Sequence, residues 1–183
     1  MAKAAGLEIG QRGGIRVDEH MRTSSPDIFA VGDAVEVKDF VTGEWSLIAL
    51  AGPANRQGRI AADVIAGRDS RFRGSQGTSI IGLFGAAAAW VGASEKTLKR
   101  SGATDYEKIY LYPNSHAGYY PGAKPIAMKV LFRKSDGRLL GAQALGEDNV
   151  DKRISALALA IQMGATIYDL EEAELCYAPQ FGS

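Results

Sequence analysis

Asp33 is the residue of this 183-residue chain whose position most invites chemistry. It closes the run Thr23-Ser24-Ser25-Pro26-Asp27-Ile28-Phe29-Ala30-Val31-Gly32-Asp33. Ser24 to Asp27 are turn residues, and Ile28 to Val31 then read as a short buried strand. Gly32 lets another backbone or a ligand approach closely. Asp33 is thereby expected at the carboxyl end of a strand, where open α/β sheets bind their ligands, with a carboxylate that can accept a hydrogen bond from a ligand hydroxyl. Capping of the following turn is the competing role. The remaining reactive side chains are few. Two histidines and one cysteine cannot build a metal cluster. His20, beside Asp18 and Glu19, is expected in solvent, whereas His116 in Ser-His-Ala-Gly-Tyr-Tyr could meet a phosphate or carboxylate. Cys176 has no neighbouring cation or helix start to activate it and reads as a small hydrophobe.

The elements that must hold these residues follow from spacing. Gly13-Gly14 precedes an alternating strand at Ile15 to Asp18, and Lys38 to Glu44 reads as a loop around Thr42-Gly43. A helix is predicted from near Pro53 to Ala66, stopped by Gly67, with Ile60, Ala61, Val64 and Ile65 as its packed stripe. The backbone N–H groups around Ala51 to Ala54 would be open at its start, for water or for a ligand. Arg68 to Gly77 is polar and glycine-bearing, which suggests a linker and two domains, 1–70 and 71–183. Strands are predicted over Thr78–Phe84, Ala86–Ala89 ahead of Trp90, Tyr106–Tyr112, Ile126–Phe132 and Leu139–Leu145, the last two joined at Ser135-Asp136-Gly137. Ser94 should cap a helix ending at Arg100, and Val150, Ile154, Leu157, Ala158 and Ile161 stripe a longer helix ended by Gly164. Asp169 with Glu172 suggests a capping pair for a last short helix.

Composition narrows the class of partner. Lys plus Arg and Asp plus Glu each total 21, so zero formal charge gives no electrostatic reason to expect nucleic acid or an anionic membrane. The longest apolar stretch, Ile80 to Ala93, is too short to span a bilayer and is broken by glycines. No signal-like start is present, and a single cysteine fits a reducing cytoplasm.

The run Arg22 to Asp33 resembles the second flavin-binding motif of the pyridine nucleotide-disulfide oxidoreductases. The likeness continues through Leu50-Ala51-Gly52-Pro53-Ala54-Asn55-Arg56-Gln57-Gly58-Arg59, Ser115-His116-Ala117-Gly118-Tyr119-Tyr120-Pro121-Gly122, Val150-Asp151-Lys152-Arg153 and Cys176-Tyr177-Ala178-Pro179. Their order is similar to that of the coenzyme A-disulfide reductase and NADH oxidase branch. The sequence has no Gly-x-Gly-x-x-Gly, and the family's redox cysteine is absent, so neither dinucleotide pyrophosphate site can come from this chain alone. It therefore resembles the C-terminal part of such an enzyme, ending at Gly182-Ser183 where relatives continue into Ala-Lys-Asp-Pro.

The resemblance implies an α+β architecture: a mixed-sheet remnant of an FAD-binding α/β domain, then an antiparallel-sheet dimerisation domain with helices. It implies FAD as cofactor and NAD(P)H as co-substrate. Asp33 after Gly32 would hold the ribityl chain, and Leu50 and Ala51 would offer backbone contacts to the isoalloxazine. Tyr177 and Tyr119 match tyrosines that line the disulfide-substrate pocket, so they are the catalytic candidates. A phenol there can donate to a leaving sulfur or act as general acid; without the resemblance, both tyrosines read as amphipathic interface residues. The implied partners are a second copy in a homodimer and coenzyme A disulfide, a related small disulfide, persulfide or oxygen. The rival expectation is a dimerisation module that binds no cofactor and catalyses nothing.

Overall fold

Ile15–Arg16 (β1) pairs in parallel with Val35–Lys38 (β2), and Trp45–Leu47 (β3) joins β2 antiparallel from its other side. The computed structural model describes residues 1–182, which part into two units, Met1–Gly77 and the chain from Thr78 onward. In the first unit Val35 and Val37 of β2 pack with Val17, Met21, Ala61 and Phe72. Burial of each such valine or methionine contributes about 1.5–3 kcal/mol. Met21 adopts a left-handed φ of 65°. The Asp18 carboxylate enforces this turn by accepting the N–H groups of His20 and Arg22 at 2.8 and 2.9 Å. Glu36 also lies fully buried on β2. It is tolerated because it accepts the Arg12 and Gly14 N–H groups and faces the Arg16 guanidinium at 3.5 Å.

Three expectations for this unit are corrected. Ile28 to Val31 is not a buried strand: Phe29 makes a single bridge to Arg22, and Ile28 and Val31 are both exposed. Its backbone hydrogen bonds go to the adjoining Met21–Ser25 turn, through Thr23 N–H to Ile28, Ile28 N–H to Ser25 and Ala30 N–H to Met21. Local pairing thus replaces a sheet ladder. The helix α1 spans Ala51–Ile65, so it starts before Pro53, and its buried stripe is Pro53, Gln57, Ala61 and Val64 while Ile65 is exposed. The polar stretch after Arg68 is no free linker from Phe72 onward. Phe72 is buried, its N–H donates to Glu19, and Ser75 exchanges backbone bonds with Lys38 and Phe40. By packing, the join falls at Gly77–Thr78.

The second unit is built on one antiparallel sheet in the order β4 (Ser79–Leu83), β5 (Ala86–Gly92), β8 (Leu139–Gly146), β7 (Ile126–Phe132), β6 (Glu107–Leu111). Gly137 turns the β7–β8 hairpin with a φ of 74°, and the Asp136 carboxylate accepts the Arg138 N–H. Helix α3 (Val150–Met163) covers one face against β5 and β8, burying Ala89, Val91, Ala142 and Ala144 beneath Val150, Ile154, Leu157 and Ile161. Gly141 is required where β8 passes the Ala93 carbonyl, because a Cβ there would collide with it. On the opposite face, Trp90, Gln143, Lys129 and Tyr110 lie in one cross-strand row. Helix α2 (Glu95–Arg100) is capped by Ser94, whose hydroxyl accepts the Thr97 N–H. For the final helix α4 (Ile167–Glu171), the cap lies three residues earlier than expected: Thr166 is the N-cap and Asp169 completes the box. Asp169 is the third helical residue here, so it serves the cap as partner and not as the cap itself.

Candidate functional site

Two groups of residues carry the features singled out by sequence, one in each unit. In the first, Gly32–Ala34 forms a 3₁₀ turn that leads into β2. Asp33 therefore stands at the amino end of a strand and not beyond a carboxyl end, which corrects the expected placement. Gly32 has a φ of 80°, and a Cβ added to it would meet only Ala54 at an ordinary 3.9 Å. Conformation, not space, selects glycine here. The Asp33 side chain is exposed, and no cap hydrogen bond from it closes the turn. Among the described residues its carboxylate has no hydrogen-bond or ion-pair partner, which leaves it available to a ligand hydroxyl.

Helix α1 packs against this turn. Its N-cap, Leu50, is extended and supplies no side-chain cap, and Ala54 N–H is the first to bond back, to Leu50 at 3.1 Å. Pro53 has no N–H, so the open donors are the amides of Ala51 and Gly52. They face outward at the positive end of the helix dipole and suit an electron-rich ligand edge. Sequence reasoning missed Gln57, one turn further along. It is almost fully buried, and its Oε1 accepts the Gly32 N–H at 2.7 Å. The signal was a polar residue in phase with Pro53, Ala61 and Val64. The free carboxylate and the open amides thus place a hydrogen-bond acceptor and two donors on neighbouring, mutually packed elements. His20, elsewhere in this unit, is not fully solvated as expected, because its Nδ1 lies 3.0 Å from the Ser70 carbonyl and its side chain is only partly exposed.

In the second unit the phenol oxygens of Tyr119 and Tyr177 meet at 3.4 Å although 58 residues separate them. The Tyr119 loop and the C-terminal segment are tied by Ala117 N–H donating to the Pro179 carbonyl at 3.2 Å. Fully buried Ser115 anchors the loop: its hydroxyl accepts the Lys124 N–H, and its carbonyl accepts from the Asn149 side chain at the head of α3. Arg153 donates to the Asn114 carbonyl from the first turns of the same helix. Contact with Tyr119 raises the Tyr177 phenol above its ordinary pKa, with desolvation adding to the effect. The contact thus favours the neutral, proton-carrying phenol. Among the described residues no carboxylate is bonded to His116. The Pro121 carbonyl lies 3.3 Å from Nε2 and the Ser115 hydroxyl 3.2 Å from Nδ1, so both ring nitrogens have local partners. Since a carbonyl only accepts, the proton is assigned to Nε2. Cys176 is exposed rather than packed as a small hydrophobe, because the segment before Tyr177 runs along the surface.

Comparison with known proteins gives these residues a context. Residues 79–183 match the family described as "Pyridine nucleotide-disulphide oxidoreductase, dimerisation domain", and residues 1–58 match "Pyridine nucleotide-disulphide oxidoreductase". The chain is 33% identical to the coenzyme A disulfide reductase of Staphylococcus epidermidis over 98% of its own length and 40% of that protein. It is 39% identical to the NADH oxidase of Methanocaldococcus jannaschii over 98% of its length and 39% of the relative. The structure of reduced Bacillus anthracis CoADR-RHD superposes with a TM-score of 0.95 at 50% identity, covering 99% of this chain and 32% of that one. The chain thus spans about two fifths of the curated relatives it matches. Its two sheets, its helices and its sequence together make it a member of the pyridine nucleotide-disulphide oxidoreductase family.

Proposed function

We propose that this chain is the flavin-gripping and dimer-forming part of an FAD-dependent NAD(P)H:disulfide oxidoreductase of the coenzyme A-disulfide reductase or NADH oxidase type. The observation that carries the reading is the free Asp33 carboxylate on a turn packed against the open amides of α1. When bound, the flavin relays two electrons from NAD(P)H to the acceptor. For a disulfide, NAD(P)H, a proton and RSSR give NAD(P)⁺ and two RSH. Asp33 accepts a ribityl hydroxyl, Gly32 gives the turn its left-handed step, and Ala51, with Gly52, offers open N–H groups to the ring. The expected Leu50 contact is taken up, because its N–H donates to the Ile48 carbonyl and its carbonyl accepts from Ala54. Tyr177, hydrogen-bonded to Tyr119, donates its phenol proton toward the sulfur that leaves. In a homodimer this pair serves the partner's flavin. Coenzyme A disulfide or a related small disulfide is the proposed acceptor, persulfide and oxygen are the rival ones, and the setting is a reducing cytoplasm. Among the described residues no helix is long and apolar enough to cross a membrane.

Flavin content tests this reading. A full-length protein carrying this sequence should purify yellow and sediment as a dimer. Asp33→Ala should weaken FAD binding at least about tenfold, the scale of a lost hydrogen bond to a charged group. A colourless dimer, with no FAD by mass spectrometry, would instead establish a module without cofactor.

A further inference from the structure

We infer that Gln57 is a positioning residue that locks the Asp33 turn to the start of α1, so that carboxylate and amides present one preformed cradle. This rests on the flavin reading above and adds a residue to which no role in that site has been given. Gln57 is 1% exposed, the most deeply buried polar side chain on α1. A glutamine in an apolar stripe is costly unless its polar atoms are bonded. Its Oε1 meets the Gly32 N–H at 2.7 Å, close to the short end of the range for N–H···O bonds.

The consequences follow from geometry. Gly32 sits at a φ of 80°, a conformation that its own side chain does nothing to hold, since it has none. The turn is three residues long and has no side-chain cap. Only the Gln57 acceptor ties the Gly32 amide to the helix whose first amides form the other half of the cradle. Gln57 lies six residues beyond Ala51 on a rigid element, so it sets the two halves against each other without touching the ligand. Removing the acceptor leaves a partly buried N–H unpaired and frees the turn to rotate, which disperses Asp33 over several directions. Ligand binding must then order the turn, and affinity falls. Any acceptor of the same reach should preserve the link. Glutamate is such a residue and leucine is not.

The test uses a full-length protein carrying this sequence, stripped of flavin and titrated with FAD by fluorescence. Gln57→Leu should weaken FAD binding about tenfold while Gln57→Glu stays within about threefold of the unsubstituted protein. Asp33→Ala, run in parallel, tests the underlying reading. If Asp33→Ala loses FAD but Gln57→Leu binds it normally, the positioning role is wrong and the flavin site stands. If Asp33→Ala binds FAD normally, the flavin reading fails and takes this role with it. A Gln57→Leu variant that melts earlier yet binds FAD unchanged in its folded form shows a packing residue only, which overturns the inference. Independently of any variant, the Gly32 amide of the unsubstituted protein should exchange slowly with deuterium. Exchange at the rate of open loop amides would sink the proposal even if the leucine variant failed to fold.

Discussion

The phenol pair shows how one contact sets a side chain's chemistry. Tyr177 is raised above the ordinary tyrosine pKa first by its hydrogen bond with Tyr119 and then by desolvation. For such a group the native-state advantage is complete below the ordinary phenol pKa and vanishes as pH climbs through the raised value. The proton that would be donated to a leaving sulfur is therefore retained to higher pH than in an unpartnered tyrosine. Tyr119→Phe removes the partner oxygen and keeps the ring. Tyr177 should then titrate lower, which ultraviolet titration or NMR of ring-labelled tyrosine will read. In an active parent enzyme, the alkaline limb of kcat should move down in pH by the same step. An unmoved Tyr177 titration would mean that the contact carries no energetic weight. His116 teaches the converse: its two ring nitrogens are held by Ser115 and Pro121, so a suggestive motif supplied a loop brace.

At the scale of elements, one acid ties α2 to two strands of the sheet, beside the packing of its buried Leu98. Glu95 meets Lys129 at 2.6 Å, Lys108 at 2.8 Å and Lys99 at 3.1 Å, joining β7, β6 and its own helix. Hydrogen bonds first from Lys108, then from Lys129 and Lys99, draw its pKa down to about 2. A depressed acid stabilises the fold above the usual carboxylate pKa and loses that contribution as pH falls from about 4.5 toward about 2. Glu95→Gln should lower Tm at neutral pH, where three ammonium groups would face no carboxylate. The difference from the parent protein should shrink on acidification over that interval. Thermal melts across pH would detect this; a difference that is flat with pH would assign Glu95 to packing alone. The cluster is partly exposed, Lys99 most of all, so added salt should weaken it in part.

At the scale of the whole chain, the second unit holds its own core. All five strands, α3 and the buried pair Ile126 and Leu131 lie beyond Thr78. Residues 78–183 alone should fold and melt in one cooperative transition. Leu131→Ala should destabilise that transition by about 2–5 kcal/mol, the range for emptying a sealed leucine site. Circular dichroism melts of the isolated segment would check both. A segment that stays unfolded would show that its sheet needs the first unit. The exposed row of Trp90 and Tyr110 on the sheet and the exposed Leu159 and Met163 on α3 are apolar surfaces of the kind that protein contacts cover.

What the sequence determined by itself was whatever depends on near neighbours along the chain. The β7–β8 hairpin at Ser135-Asp136-Gly137, the Ser94 cap and the α3 stripe ended by Gly164 are local patterns, and each forms where spacing places it. The order of motifs carried the family for the same reason, because it can be read without any contact. Tertiary structure alone decided the rest. Ile28 to Val31 has strand composition, yet its hydrogen bonds were taken by the Met21–Ser25 turn. The buried side of α1 was fixed by the sheet it meets, which turned Ile65 outward and drew Gln57 in. The meeting of Tyr119 with Tyr177 spans 58 residues of chain and needs the Ala117–Pro179 bond and the Ser115 anchor to bring it about. Spacing encodes which residues neighbour one another in an element, whereas pairing between distant segments is settled only when the whole chain competes for its hydrogen bonds.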